Sequence, residues 1–389
     1  MLALTAWTLL ALFMATYVGY PLVMIGLASL FSKRSWHQGQ LRPVAPSLSV
    51  AVVICAHNEE RHLAAKLDSV LAAARALSGG VRIIVADDGS TDTTLAIAQQ
   101  FEQDGVEVLA LPRGGKAAAL NRATAFVRED VIVLTDADPL FQADTLVQLL
   151  APFADPKIGA LAGVVEMVRS KNGGGLAAAG HLFRQYENAL RKAEDRVFGT
   201  ISADGGLYAL RARLMPQVPP DGTDDFFIST AAPAAGLRIA FAPYAIVTEH
   251  PTGSESRDLR RRIRITVRGL TSLGHRRALL NPLKYGGYAF GLAMHKIARR
   301  MAPLVLVPLA FLAPILATGG SAFWFAITIG LVVALALAIA AWLTKGRLPK
   351  VLKVPYLLGL HLFGLGAGVI LFLGGKRFVV WTPEKASGA

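Results

Sequence analysis

Four short polar segments pair residue types that act on phosphate and on protons. Asp136 and Asp138 stand one residue apart in Thr135-Asp136-Ala137-Asp138-Pro139, directly after the apolar residues 131–134. Two carboxylates so spaced can hold a hard divalent cation and, through it, a diphosphate. Asp87-Asp88-Gly89-Ser90 follows a second apolar run and adds a carboxylate that a plain turn does not need. Gly114-Gly115-Lys116 opens a helical pattern, where backbone N–H groups and a lysine suit an anionic phosphate. Ala56-His57-Asn58-Glu59 ends the first apolar run of the central region. Each has a plainer reading: an Asp-Pro turn, a helix cap with a turn glycine, or a solvated lysine.

The elements that carry these segments give them weight together. Residues 48–56, 81–86, 106–110 and 131–134 read as buried strands, and continuous apolar runs of that length fit parallel strands covered on both faces. Helical patterns over residues to about 77, 93–101 and 117–127 separate them. Such alternation predicts a doubly wound α/β sheet. In that architecture ligands bind outside the carboxyl ends of the strands, where all four segments fall.

The two ends of the chain differ from this middle. Residues 2–31 contain no charged side chain, enough to span a bilayer. No basic residues precede the run, and it is too long for a secretory signal. Lys33 and Arg34 follow it, which sets its carboxyl end in the cytoplasm by the positive-inside rule. Residues 301–318 and 322–343 form an apolar hairpin around Gly319-Gly320-Ser321, and Lys345, Arg347, Lys350 and Lys353 mark a return to the cytoplasm. A third run, 356–373, would leave Lys376 and Arg377 outside; either it is re-entrant or the charge rule fails there.

The net charge is +13, but the basic residues cluster beside the apolar runs. Between Arg257 and Lys284 lie eight Arg and one Lys against the single acid Asp258. Such a stretch meets anionic headgroups, with Arg257, Arg260, Arg276 and Arg277 expected to face lipid. Nucleic acid is not expected as a partner, because basic and aromatic residues are not interleaved in the central region. The lone Cys55 excludes an intrachain disulfide and a Cys-based zinc site, and its apolar strand makes it a core residue.

In order, Ala56-His57-Asn58-Glu59, Asp87-Asp88-Gly89-Ser90, Gly115-Lys116 with Leu120-Asn121, and Thr135-Asp136-Ala137-Asp138 resemble family 2 glycosyltransferases of the GT-A fold. The resemblance continues through Gly205-Gly206-Leu207-Tyr208-Ala209-Leu210-Arg211, Thr223-Asp224-Asp225 and Arg261-Arg262-Ile263-Arg264-Ile265, and covers roughly residues 48–270. The layout is similar to polysaccharide synthases and lipid-directed sugar transferases. It implies five parts: an N-terminal transmembrane helix (1–32), a GT-A, Rossmann-like catalytic domain (45–255), basic amphipathic interface helices (256–300), three hydrophobic segments (301–375) and a tail (376–389).

The resemblance also implies roles. Ala56, Asn58, Glu59 and Asp88 would bind base and ribose of a nucleotide-sugar donor, UDP being the expected nucleotide. Lys116 and Arg261 would approach the nucleotide. Asp136 and Asp138 would hold Mg²⁺ or Mn²⁺, Asp136 also serving the donor sugar. Asp225 would be the general base, with Asp224 beside it and Arg264 on the diphosphate. Processive synthases carry Trp after that arginine; Ile265 stands here instead, which favours a lipid-linked or glycan acceptor over a polymerising, exporting synthase. A transporter subunit with a nucleotide-sensing domain is the reading from another class. Its spans would be expected to carry ionisable groups near their centres, where here His361 is the exception. The implied enzyme is an inverting transferase, multi-pass in the cell membrane, with its catalytic domain cytoplasmic.

Overall fold

The computed structural model describes residues 1–31, 48–168, 175–249, 255–344 and 350–378. The expected polar linker at 43–46, Lys33, Arg34, Lys345, Arg347 and the tail beyond 378 lie outside the described residues, as does the side chain of Arg257.

At the N-terminus, α1 (Leu2–Met14) and α2 (Tyr20–Ser29) are joined by a π-helical turn into one apolar rod of 28 residues. Then β1 (Val50–Ala56), α3 (Leu63–Ala74), β2 (Val81–Asp88), α4 (Thr94–Gln100), β3 (Val106–Leu111), α5 (Lys116–Thr124) and β4 (Val131–Thr135) alternate. There follow β5 (Leu140–Phe141), α6 (Thr145–Leu150), β6 (Ile158–Met167), α7 (Gly175–Val197), β7 (Tyr208–Arg211), α8 (Asp224–Ser229), α9 (Ala231–Ala234) and β8 (Arg238–Glu249). The chain closes with α10 (Glu255–His275), α11 (Pro282–Leu292), α12 (Arg299–Ala317), α13 (Ala322–Leu343) and α14 (Lys350–Leu373).

The strands form one sheet in the order β3-β2-β1-β4-β7-β6-β8-β5. The first four run parallel, and β7 then pairs antiparallel with β4 and β6. Side chains alternate between faces along a strand. Accordingly Val50, Val52, Ile54 and Ala56 enter one core, while Ala51, Val53 and Cys55 enter the other. Both faces being covered explains why β1 reads as a continuous apolar run. Register opposes Ala56 to Asp87 and Ile54 to Thr135, so the polar strand ends meet on one edge.

The helical stretch that starts at Asp224 breaks at Thr230 into α8 and α9. Pro233 lacks the N–H that would reach the carbonyl of Ser229, and the Ser229 and Thr230 hydroxyls bond back to the carbonyls of Asp225 (2.6 Å) and Phe226 (2.7 Å). Arg276 does not face lipid. Its guanidinium lies 4.0 Å over the Phe227 ring and donates to the Phe227 carbonyl at 2.9 Å, since a flat cation is better placed on an aromatic face of the catalytic domain than in hydrocarbon.

Among the described residues four helices are long and apolar enough to cross a membrane: 2–29, Pro282–Ala317, Ala322–Ala340 and Pro355–Leu373. The second begins inside the stretch expected as interface helices. The last belongs to α14, one unbroken helix of 24 residues. Gly368 of α14 lets α10 approach closely, because a Cβ there would stand 2.6 Å from Thr266 Cβ.

Candidate active site

The Asp136–Asp138 turn rests on a buried lysine. Lys66, on α3, is fully buried and donates from Nζ to Thr135 Oγ1 (2.7 Å) and to the Pro139 carbonyl (2.5 Å). Thr135 Oγ1 in turn donates to the Gly206 carbonyl at 2.7 Å. Both ends of the turn are thereby fixed from below. Burial pushes Lys66 down to about 7, against the pull of Asp136 and Asp138. Its place in the apolar stripe Leu63, Leu67, Val70 was the sequence signal for it, since an unpaired lysine there would be costly.

Above the turn, Lys116 joins Asp136 to Asp224. Its Nζ lies 2.5 Å from Asp136 Oδ1 and 2.7 Å from Asp224 Oδ2. Burial would lower Lys116, but the two carboxylates hold it well above the usual lysine range. Burial would raise Asp224, and Lys116 overrides it downward. Tyr208, buried on β7, donates to Asp224 Oδ2 at 3.4 Å.

The strand-end loops are tied to each other. Asn58 adopts φ 58°, a left-handed conformation that Asn tolerates better than most residues. Its Oδ1 accepts from the Thr91 N–H at 2.7 Å, and its own N–H donates to Ser90 Oγ at 2.9 Å. The Glu59 N–H donates to Thr94 Oγ1 at 2.7 Å, and Ala56 is buried at the end of β1. Asp88 is buried and accepts from the N–H groups of Gly114 (2.7 Å) and Gly115 (2.9 Å) and from Arg113. It thus holds the glycine loop that starts α5. Gly89, at φ 63°, permits this contact: a Cβ there would stand 2.7 Å from the Arg113 nitrogen.

The Thr223-Asp224-Asp225 segment opens α8 and is clamped by α10. Ser272 Oγ accepts from the Thr223 N–H at 2.7 Å, and buried Arg268 donates from Nε to the Gly222 carbonyl at 3.0 Å. From the other side Asn121 of α5 exchanges two bonds with Val218, at 3.0 and 2.8 Å. Asp225 Oδ1 accepts from the Phe226 N–H at 2.7 Å. Burial, then Asp224 and Asp204, push Asp225 up to about 6, while the Phe226 N–H and Lys296 hold it back. A carboxyl poised there suits a general base near neutral pH.

Arg264 is half-buried on α10, and Arg261 is exposed on the same helix, acting on Asp204 and Glu249. Sequence reasoning did not pick out Lys66, Asp204, Arg268 or Lys296. Asp204 directly precedes the Gly205-Gly206 match, and Arg268 falls one helical turn after Arg264.

Whether the residues fit a cation can be judged from the donor set. Among the described residues no three His, Cys, Asp or Glu side chains converge as a closed cage. A site of Mg²⁺ type needs only one or two carboxylates, the rest coming from water and substrate phosphate. Burial, Asp138 and Asp224 raise Asp136 against the pull of Lys116, so added positive charge would be welcome. Gly205 keeps the approach open: a Cβ there would stand 3.4 Å from Asp136 Oδ2. Asp136 and Asp138 therefore fit the role.

Residues 46–270 match the model described as glycosyltransferase like family 2. The chain is 30% identical over 140 residues to a beta-monoglucosyldiacylglycerol synthase of Nostoc sp., which is 35% of this chain and 29% of that enzyme. It is 28% identical over 328 residues to an N-acetylglucosaminyltransferase of Bradyrhizobium diazoefficiens, 78% of this chain and 64% of the relative. The chain thus spans less than two thirds of either relative. In fold it is similar to a mannosyltransferase from Pyrobaculum calidifontis in complex with GDP-Man and Mn²⁺, with TM-score 0.70 and 23% identity over 97% of this chain and 100% of that one. The match over residues 46–270, on a GT-A sheet whose strand ends carry these motifs, means that the chain belongs to glycosyltransferase family 2.

Proposed function

We propose that the chain moves a sugar from a nucleotide-sugar donor to a lipid-linked or glycan acceptor at the cytoplasmic face of the cell membrane, with inversion at the anomeric carbon. The observation that carries this reading is the chain of contacts from Asp136 through Lys116 to Asp224, with Asp225 raised to about 6 one residue on. Asp136 and Asp138 would hold Mg²⁺ or Mn²⁺, which when bound would neutralise charge on the diphosphate. Lys116 adds a fixed positive charge on the same side. Asp225 accepts the proton of the acceptor hydroxyl as that oxygen attacks the anomeric carbon, and the nucleoside diphosphate leaves from the opposite face in a single displacement. General-base assistance of this kind is worth about 10²–10⁴-fold. Asn58, Glu59 and the Asp88-held glycine loop line the nucleotide end, and Arg261 and Arg264 of α10 close it.

A donor screen tests the reading. Purified protein in lipid is offered UDP-, GDP- and dTDP-sugars with Mg²⁺ or Mn²⁺, and released nucleotide is measured. We expect turnover of a UDP-sugar; absence of release with every donor in the presence of lipid extract would overturn the assignment. Labelling of introduced cysteines within 50–240 by an impermeant reagent in intact cells would overturn the cytoplasmic orientation.

A further inference from the structure

His361 stands in the apolar stretch Pro355–Leu373, which holds no Asp, Glu, Lys or Arg. An ionisable side chain in such a place is costly and marks function. Its partner comes from α10: the Arg262 guanidinium donates to His361 Nδ1. A guanidinium has donors only, so Nδ1 serves as the acceptor.

This contact lies in a seam with few side chains. Gly364 and Gly368 follow His361 by three and seven positions and share its face of α14. A Cβ on Gly364 would stand 3.2 Å from Leu259 and 3.3 Å from Arg262, and a Cβ on Gly368 would stand 2.6 Å from Thr266. Leu259, Arg262 and Thr266 line one face of α10 at the same spacing. Glycines bring the two helices close but offer no knobs to fix how one lies along the other. A polar contact in an apolar helix seam does fix it, because it is directional and leaving it unmade there is costly.

The other end of α10 holds the segment that carries Asp225. The helix runs unbroken for 21 residues. Arg268 Nε donates to the Gly222 carbonyl at 3.0 Å, and Ser272 Oγ accepts from the Thr223 N–H at 2.7 Å. His275 Nε2 lies 3.0 Å from Asp221 Oδ1. Directly after the helix, Arg276 donates to the Phe227 carbonyl at 2.9 Å. Asp225 is thus held from both sides. Arg262 and Ser272 are about 15 Å apart along the helix axis, so one rigid element joins the membrane helix to the base segment. A slide or rotation of α10 on α14 moves all these anchors together.

We propose that His361 is a positioning residue for sugar transfer: its contact with Arg262 sets the register of α10 on α14, and α10 thereby sets where Asp225 stands. The inference rests on the reading of Asp225 as the base. A base must lie within hydrogen-bond reach of the proton it takes, and a misplacement of about 1 Å can cost about 100-fold in rate.

Hydrogen–deuterium exchange on the full chain in phosphatidylcholine nanodiscs tests the contact without any substrate. His361→Leu should speed exchange in 221–227 by about tenfold, the size of one lost hydrogen bond to a charged group, and leave 87–92 unchanged. Arg262→Met breaks the same contact from α10 and should do the same. His361→Asn, whose Oδ1 can take the place of Nδ1, should return exchange to the wild-type rate. In single-turnover transfer with a UDP-sugar, Mn²⁺ and lipid extract, His361→Leu should be slower by about 10- to 100-fold, and His361→Asn should recover most of that loss. Nucleoside diphosphate affinity should fall much less, because of the groups proposed to bind it only Arg261 and Arg264 lie on α10. Unchanged exchange in both His361→Leu and Arg262→Met overturns the proposal. A His361→Asn variant as impaired as His361→Leu overturns it too, since the hydrogen bond is then not what matters. A loss of nucleoside diphosphate affinity equal to the loss of rate overturns it by assigning the contact to the donor. If the wild type transfers no sugar, the proposed function fails, and the positioning contact stands or falls by exchange alone. Thermal unfolding confirms that each variant is folded.

Discussion

The two sides of the cleft are built differently. On the proposed donor side, residues between Ala56 and Asp138 come from consecutive strand ends and hold one another through short bonds: Asn58 to Thr91, Asp88 to Gly114 and Gly115, Lys116 to Asp136. On the proposed acceptor side, Asp225, Asp204, Arg191, Arg261 and Lys296 come from distant segments, and the ion pairs at Asp204 are 3.5 Å or longer. The donor side is preorganised for a ligand of fixed chemistry, which favours charge stabilisation without reorganisation. The proposed acceptor side is held by longer contacts.

The sharpest way to break this comparison is at the donor carboxylates. Asp138→Asn should abolish metal-dependent turnover and weaken nucleotide-sugar binding, with the protein still folded. Turnover near wild type that is also insensitive to EDTA would mean that the donor side needs no cation. Next in size is Asp225→Asn, expected to slow transfer by about 10²–10⁴-fold with little change in donor affinity. Single-turnover kinetics beside a binding assay separates the two. Asp224→Asn should have the smaller effect on transfer and act through Lys116, loosening one of its two carboxylate contacts. If Asp224 proves essential and Asp225 dispensable, the base lies one residue earlier.

Lys66 sharpens the comparison from below. Lys66→Met keeps the length of the side chain but leaves the Pro139 carbonyl without its donor. Loss of a supporting contact behind metal ligands typically costs about 10–100-fold in metal affinity. Isothermal titration with Mn²⁺ and nucleoside diphosphate should show a loss in that range, with kcat at saturating metal much less affected. Unchanged metal affinity would mean that β4 and Gly206 fix the turn unaided.

The same contrast explains what could be read from the sequence. The donor side is local: an apolar run followed by polar residues at each strand end names both the element and its site. Asp136 and Lys116 therefore came from spacing, whereas Asp225 came from the family resemblance alone. The proposed acceptor side is assembled by tertiary packing, so Asp204, Arg191 and Lys296 carry no short-range pattern. Arg276 looked like a lipid-facing arginine because nothing in its neighbours shows that Phe227, far back in the chain, lies beneath it. Lys296 and His295 are adjacent and similar in the sequence, yet only His295 meets glutamates from α7. Lys66 is intermediate, since its misplacement on an apolar stripe was visible but its partners at Thr135 and Pro139 were not.

The smallest expected effect tests whether the two sides communicate electrostatically. A base must be ionised, so with Asp225 near 6 the rate should fall as pH drops through that value. Asp204 is one of the charges that raise Asp225. Asp204→Asn removes that negative charge and also frees Arg184 and Arg191 from a carboxylate. Both changes favour ionised Asp225, so its pKa must fall and the acid limb of kcat/KM must move to lower pH. The shift should be no more than about one pH unit, because Asp204 ranks behind burial and Asp224 as a cause. Rates on the plateau above pH 7 should change through acceptor KM rather than through the base. A limb that moves to higher pH, or stays fixed while Asp225→Asn abolishes it, would show that Asp204 is electrostatically separate from the base and serves the acceptor alone.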